Sequence, residues 1–174
     1  MKKIKIVSKR APLGYSWYQL PPFLQGRITV QAYRVWLAHK AHTMHERDVE
    51  LKRPYALTNL KGVYKQKIHQ AVLAGGEFDP YTGEKLNWEG ISPKDAVVYG
   101  YVSDFLTKYA MLPAVDHISA DKFEFEICAW IVNSSKTCMT PDEYVELCGK
   151  VTAYRQPAKA KAQAVGRSAK KGRR

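Results

Sequence analysis

Apolar side chains along residues 28–48 recur at Tyr33, Trp36, Leu37 and Met44, the three-to-four-residue spacing of one helix face. Arg34, Lys40 and Arg47 take other positions on that helix. A second stripe, Val63, Tyr64, Ile68, Ala71 and Val72, predicts a helix from about Asn59 to Ala74. Gly75-Gly76 is expected to end it through the left-handed conformation that glycine tolerates. The period then shortens. Asp79-Pro-Tyr-Thr-Gly83 reads as a turn, with Leu86 and Trp88 as strand positions beyond it. Residues 92–110 fit either a helix opened by Ser92-Pro93 or an extended run over Val97–Val102. Phe123-Glu-Phe-Glu-Ile-Cys128 alternates apolar and polar, as a half-buried strand does. The stretch Pro113-Ala-Val-Asp-His-Ile118 reads as a strand ending in two adjacent polar residues. A loop carrying Asn133 follows the second strand. Thr140-Pro141 with Glu143 three residues after Thr140 is a capping box with proline at its favoured first position. The helix it opens places Tyr144, Val145, Cys148 and Val151 on one face, to about Tyr154. Ile4 to Val7 is a candidate N-terminal strand. The fold class expected is α+β: a helical N-terminal half (1–74), then a strand–strand–helix unit (75–155).

Composition narrows the class. The 174 residues suffice for one domain with its own core, and no apolar run nears the ~20 residues of a membrane span. Three cysteines and no apolar leader segment point to a reducing, cytoplasmic compartment. The formal net charge is +12. Residues 156–174 hold seven Lys or Arg and no acid; without them 21 basic residues face 16 acidic ones. With one large aliphatic, Val165, this tail buries too little to offset its ordering entropy, and it reads as a disordered basic arm. Such arms attract phosphate without regard to sequence, or merely solubilise.

The chemistry lies in Asp116, His117 and Asn133. Asp offers an anionic oxygen and Asn a neutral one, donors that suit Mg²⁺ or Mn²⁺. A histidine beside them titrates near neutrality and takes a proton from water. Val115-Asp-His-Ile118 followed by Asn133-Ser-Ser-Lys136 resembles the HNH nucleases, the ββα-metal or His-Me finger family. The resemblance spans roughly residues 75–150. It implies that His117 activates the attacking water, that Asp116 and Asn133 hold the divalent metal, and that Lys136 touches phosphate. Phe78-Asp-Pro-Tyr-Thr-Gly-Glu-Lys-Leu86 is similar to the zinc knuckle of that family, with Asp79 and Thr82 at the two cysteine positions. The downstream cysteine positions fall at Ala129 and Val132. No structural zinc is therefore expected, and packing around the turn, with Trp88 and Trp130, must replace it. The implied activity is hydrolysis of phosphodiester bonds in DNA. Lys61, Lys65, Lys67 and Arg47 on the two helices become phosphate contacts under that reading.

Other readings stand beside it. Asp116 and His117 could simply close a turn. An HNH scaffold could bind nucleic acid without cutting, or the chain could dock on a larger nucleoprotein assembly through its tail. His39, His42 and His45 stand three apart on the first helix, where a surface facing phosphate is a better fit than a metal site. Cys128 and Cys148 read as core.

Overall fold

The computed structural model describes residues 18–57, 60–91, 109–119 and 121–155. Helix α1 runs Val30–Glu50, with Thr29 as its N-cap accepting from the Ala32 amide at 3.1 Å. Its buried stripe is Tyr33, Trp36, Leu37, Ala41, Met44 and Asp48. Helix α2 runs Lys61–Gly75 and buries Tyr64, Ile68 and Val72. Tyr33 meets His69, and Asp48 meets Tyr64, so the two helices pack antiparallel. Strands β1 (Pro113–His117) and β2 (Phe125–Ala129) form one antiparallel hairpin, with His117 opposite Phe125 and Asp116 opposite Glu126. Helix α3 (Trp130–Lys136) follows β2 directly, and a further helix, α4, covers 141–155. The architecture is α+β, helices first and the strand–strand–helix unit after, as the hydrophobic periods predict.

Alternation assigns the two faces of the hairpin. Val115, Phe125, Ile127 and Ala129 join Tyr33, Trp36, Ile68 and Trp88 in the main core. Ala114, Asp116, Glu126 and Cys128 therefore occupy the opposite face. The first amides of α3 are satisfied from outside the helix: Trp130 donates to Leu112 O at 2.8 Å and Ile131 to Ala110 O at 3.0 Å. The helix is thereby pinned to the chain entering β1.

The turn after α2 is closed by hydrogen bonds. Gly83 has φ +71 and donates its amide to Asp79 O at 2.9 Å. The Asp79 carboxylate accepts from the Thr82 amide and hydroxyl, both at 2.8 Å, and from the Ala129 amide at 2.7 Å. Asp79 thus ties Thr82 within the turn to Ala129 at the end of β2. Trp88 is fully buried, lies 4.9 Å from Trp36 centroid to centroid, and donates Nε1–H to Gly76 O at 2.6 Å. Trp88 thus packs in the core beside the end of α2, and the tie within the turn is Asp79.

Several expectations change. Leu86 and Trp88 lie outside any strand; among the described residues the β-pairing of this region is a single bridge between Phe78 and Lys85. The stretch with Asn133 is helical rather than a loop, because the β2 end and its external acceptors start α3 at Trp130. Gly76 has φ −73, not a left-handed conformation; a Cβ there would approach Val72 O to 2.8 Å, so space rather than backbone freedom favours glycine. The Thr140–Glu143 capping box forms, but Val145 and Val151 are exposed, as is Cys148. Cys128 is buried as expected. The expectations at Ile4–Val7, at 92–108 and in the tail 156–174 lie outside the described residues.

Asp79→Ala removes three accepted hydrogen bonds at a site 1% exposed. It should cost about 2–4 kcal/mol, read as a lower urea midpoint at unchanged slope. A loss below about 0.5 kcal/mol would show that the turn holds without it.

Candidate functional site

The C-terminus of α1 builds one side of the site. Lys52 has φ +54; its amide donates to Val49 O at 3.0 Å and the Arg53 amide to Asp48 O at 2.9 Å. This Schellman closure folds Arg53 back over the last turn. Arg53 Nη1 then reaches Asp48 Oδ1 at 3.0 Å. Asp48 Oδ2 accepts from Tyr64 Oη at 2.9 Å and meets His117 Nε2 at 3.0 Å. The Asp48 carboxylate is fully buried, so α1, α2 and the hairpin meet on one charge.

The His117 tautomer follows from its neighbours. Arg47 Nη2 lies 2.8 Å from His117 Nδ1, and a guanidinium only donates. Nδ1 must accept, so the neutral ring carries its proton on Nε2 and donates it to Asp48. Phe125 packs against the ring at 4.8 Å. Burial holds the His117 pKa below the usual histidine value, the Asp48 contact opposes this, and the charges of Arg53 and Arg47 add to the lowering. Burial also works against the charge on Asp48. The His117 contact, the Tyr64 hydroxyl and Arg53 outweigh it, and the carboxyl titrates below the usual aspartate range.

Asp116 faces the other way. Its Oδ1 accepts the His117 amide at 2.9 Å, and its Oδ2 stands 2.8 Å from Lys136 Nζ. That oxygen is buried and receives no well-directed hydrogen bond, so the ammonium contact is Coulombic. Lys136 Nζ donates instead to Met139 O at 2.9 Å. The chain reverses at Thr137, a β-branched residue at φ +53, to bring that carbonyl over the ammonium. Glu126, across the hairpin from Asp116, accepts from Tyr81 Oη at 2.6 Å. Burial pushes its carboxyl up, a push that Asp116 reinforces and the Tyr81 bond opposes.

The predicted residues thus fall into two groups. His117 lies with Arg47, expected as a phosphate contact, and with Asp48, Arg53 and Tyr64. Asp116 lies with Lys136, and Asn133 sits one turn before Lys136 on α3, half-buried. The hairpin separates the groups, because adjacent strand residues point to opposite faces. Lys136 is a correction: at 2% exposure it is an internal partner of Asp116, not a side chain presented to phosphate. Lys61 and Lys65, four apart, share a side of α2, and Lys61 Nζ lies 2.6 Å from His42 Nδ1. Lys67 is turned about 200° from Lys65 and looks elsewhere. Asp48, which joins the His117 group, is not among the predicted residues. Its signal was present: 37, 41, 44 and 48 form one helical stripe, and an acid on a buried stripe needs buried donors.

Asp116 and Asn133 supply the oxygen types that a hard divalent ion takes. As arranged they do not fit one, because the Lys136 ammonium already stands against the Asp116 oxygen such an ion would use. Among the described residues no three His, Cys, Asp or Glu side chains gather into a metal-binding group.

Asp48→Ala strands three donors and should cost about 3–5 kcal/mol by urea unfolding. Because the His117 pKa is lower folded than unfolded, the unfolded chain takes up the proton first as pH falls. Stability should therefore decline below about pH 6.5. The Asp48 contribution, from a carboxyl lowered on folding, should be present above about pH 4 and fade below it. His117→Gln should make the decline below pH 6.5 shallower in urea midpoints measured against pH; an unchanged slope would contradict the lowered ring pKa. No protein-family model, curated protein or solved structure matches this chain.

Proposed function

We propose that this protein acts on the phosphodiester backbone of nucleic acid, DNA in the first instance, as an HNH-like endonuclease with His117 as general base. The observation that carries this reading is the pairing of His117 with Asp48 on one ring nitrogen and with the exposed Arg47 on the other. A buried carboxylate that accepts the Nε2–H hydrogen bond fixes the tautomer, orients the ring and stabilises the imidazolium formed when Nδ1 takes up a proton. Arg47 covers Nδ1 in this arrangement. A guanidinium prefers a bidentate phosphate to a neutral imidazole, so an arriving phosphodiester would draw it off and expose the base. Arg47 is then both a phosphate contact and the side chain whose departure readies His117. Lys61 and Lys65 extend the basic surface along α2. The family likeness would add Mg²⁺ or Mn²⁺ at Asp116 and Asn133; with Lys136 on Asp116, no step is assigned to a metal.

One observation favours a second reading, a nucleic-acid-binding protein on an HNH-like scaffold that does not cut. Both ring nitrogens of His117 and both oxygens of Asp116 are engaged within the fold.

Supercoiled plasmid incubated with Mg²⁺, with Mn²⁺ or with EDTA separates the two. Nicking in any arm, reduced at least about 100-fold in a His117→Ala variant that is still folded at the assay temperature by circular dichroism, supports the nuclease. Binding by gel shift with no nicking in any arm assigns the chain to the second reading. Under either, Lys61→Ala/Lys65→Ala should weaken DNA binding and flatten its salt dependence by about one to two counterions, whereas Lys67→Ala should leave both unchanged. Equal effects from all three lysines would remove the α2 surface from the interface.

A further inference from the structure

The HNH likeness puts a divalent cation at Asp116, and the fold puts a lysine there. We infer that Lys136 Nζ is a built-in cation occupying the position the family gives to metal, so that the Asp116 side of the hairpin is closed to divalent ions. This rests on the HNH reading of the motif, not on whether the chain cuts DNA.

Three features fix the ammonium. Lys136 is 2% exposed, so its charge is not a surface group that happens to lie near an acid. Nζ has two anchors on different elements, Asp116 Oδ2 at 2.8 Å on β1 and Met139 O at 2.9 Å beyond α3. The Met139 carbonyl reaches it only through the reversal at Thr137, where a threonine adopts φ +53. A threonine in that conformation is unfavourable, and its persistence means that the surrounding contacts determine it. Glu126, opposite Asp116 across the hairpin, is bonded to Tyr81. A divalent ion on Asp116 Oδ2 would stand directly against the Lys136 ammonium and be repelled by it. Mg²⁺ dehydrates reluctantly and gains little from a carboxylate whose charge is already neutralised.

The consequence is a latent site. Removing the ammonium leaves a buried Asp116 carboxylate without its counter-ion, with the Glu126 carboxylate opposite and the Asn133 amide on the same helix as the missing side chain. Such a carboxylate is neutralised by a proton or by a cation, and a divalent ion supplied at millimolar concentration competes for it.

Mn²⁺ is the probe, added alone to ¹⁵N-labelled protein and followed by paramagnetic broadening of backbone amides and by the free-ion EPR signal. Wild type should show no broadening centred on the Asp116 and Asn133 amides at millimolar Mn²⁺. Lys136→Met and Lys136→Gln, the latter keeping a donor for Met139 O, should gain it, with affinity at least about tenfold above wild type. Broadening centred on those amides in wild type would overturn the inference. So would a Lys136 variant with a wild-type spectrum elsewhere that binds no tighter. Should Lys136→Met lose its fold, Lys136→Gln and the wild-type titration decide. Plasmid nicking plays no part in this readout, so the inference and the nuclease reading fail separately.

Discussion

A single buried carboxylate organises the molecule. Asp48 takes donors from Tyr64 on α2, from Arg53 just past α1 and from His117 at the end of β1. Placing a charge at 0% exposure costs several kcal/mol, and hydrogen bonds to a charged group return about 1.5–3 kcal/mol each. The arrangement is near balance only with all its partners present. That condition dictates much else: the Schellman closure at Lys52 that delivers Arg53, the antiparallel packing that delivers Tyr64, and the register that puts His117 at the inward-facing end of β1.

The hairpin divides two kinds of electrostatic solution. Toward α1, an aspartate orients a neutral histidine whose remaining lone pair is held by an exposed arginine. Toward α3, an aspartate is neutralised by a lysine clamped from a second side by a carbonyl. The first couples an interior charge to a surface cation that an anionic ligand could draw away. The second is closed on both sides. An adjacent Asp-His pair serves both because alternation sends neighbouring side chains to opposite faces. A turn at the strand end, which would bring both to one site, is absent: the Ile118 amide still bonds Glu124 O at 3.2 Å and carries the ladder past His117.

Much of this was legible in the residues. Helical spacing located α1 and α2 to within about two residues at most ends, the usual precision at a frayed terminus. The Thr140–Glu143 box marked a helix start because capping is a local, side-chain-to-backbone matter. What escaped depends on contacts distant in sequence. Asn133 looked like loop because nothing near it announces that Leu112 and Ala110 carbonyls will cap α3. The Asp79 tie joins residues 50 apart, so only its local half, the turn with Thr82, was visible. Asp48 and His117 are 69 apart, and their pairing appears only once α1 lies across the hairpin. Lys136 read as a phosphate contact because a motif gives spacing but not burial.

The most direct measurement is the ¹⁵N spectrum of the His117 imidazole at neutral pH, assigned by comparison with His117→Gln. The expected spectrum has a protonated Nε2 and an unprotonated Nδ1 in a single slowly exchanging tautomer, with the Nε2 signal displaced when Asp48 is replaced by Asn. A ring protonated on Nδ1, a cationic ring, or two tautomers in fast exchange would contradict the Asp48–His117–Arg47 arrangement from which the site is built.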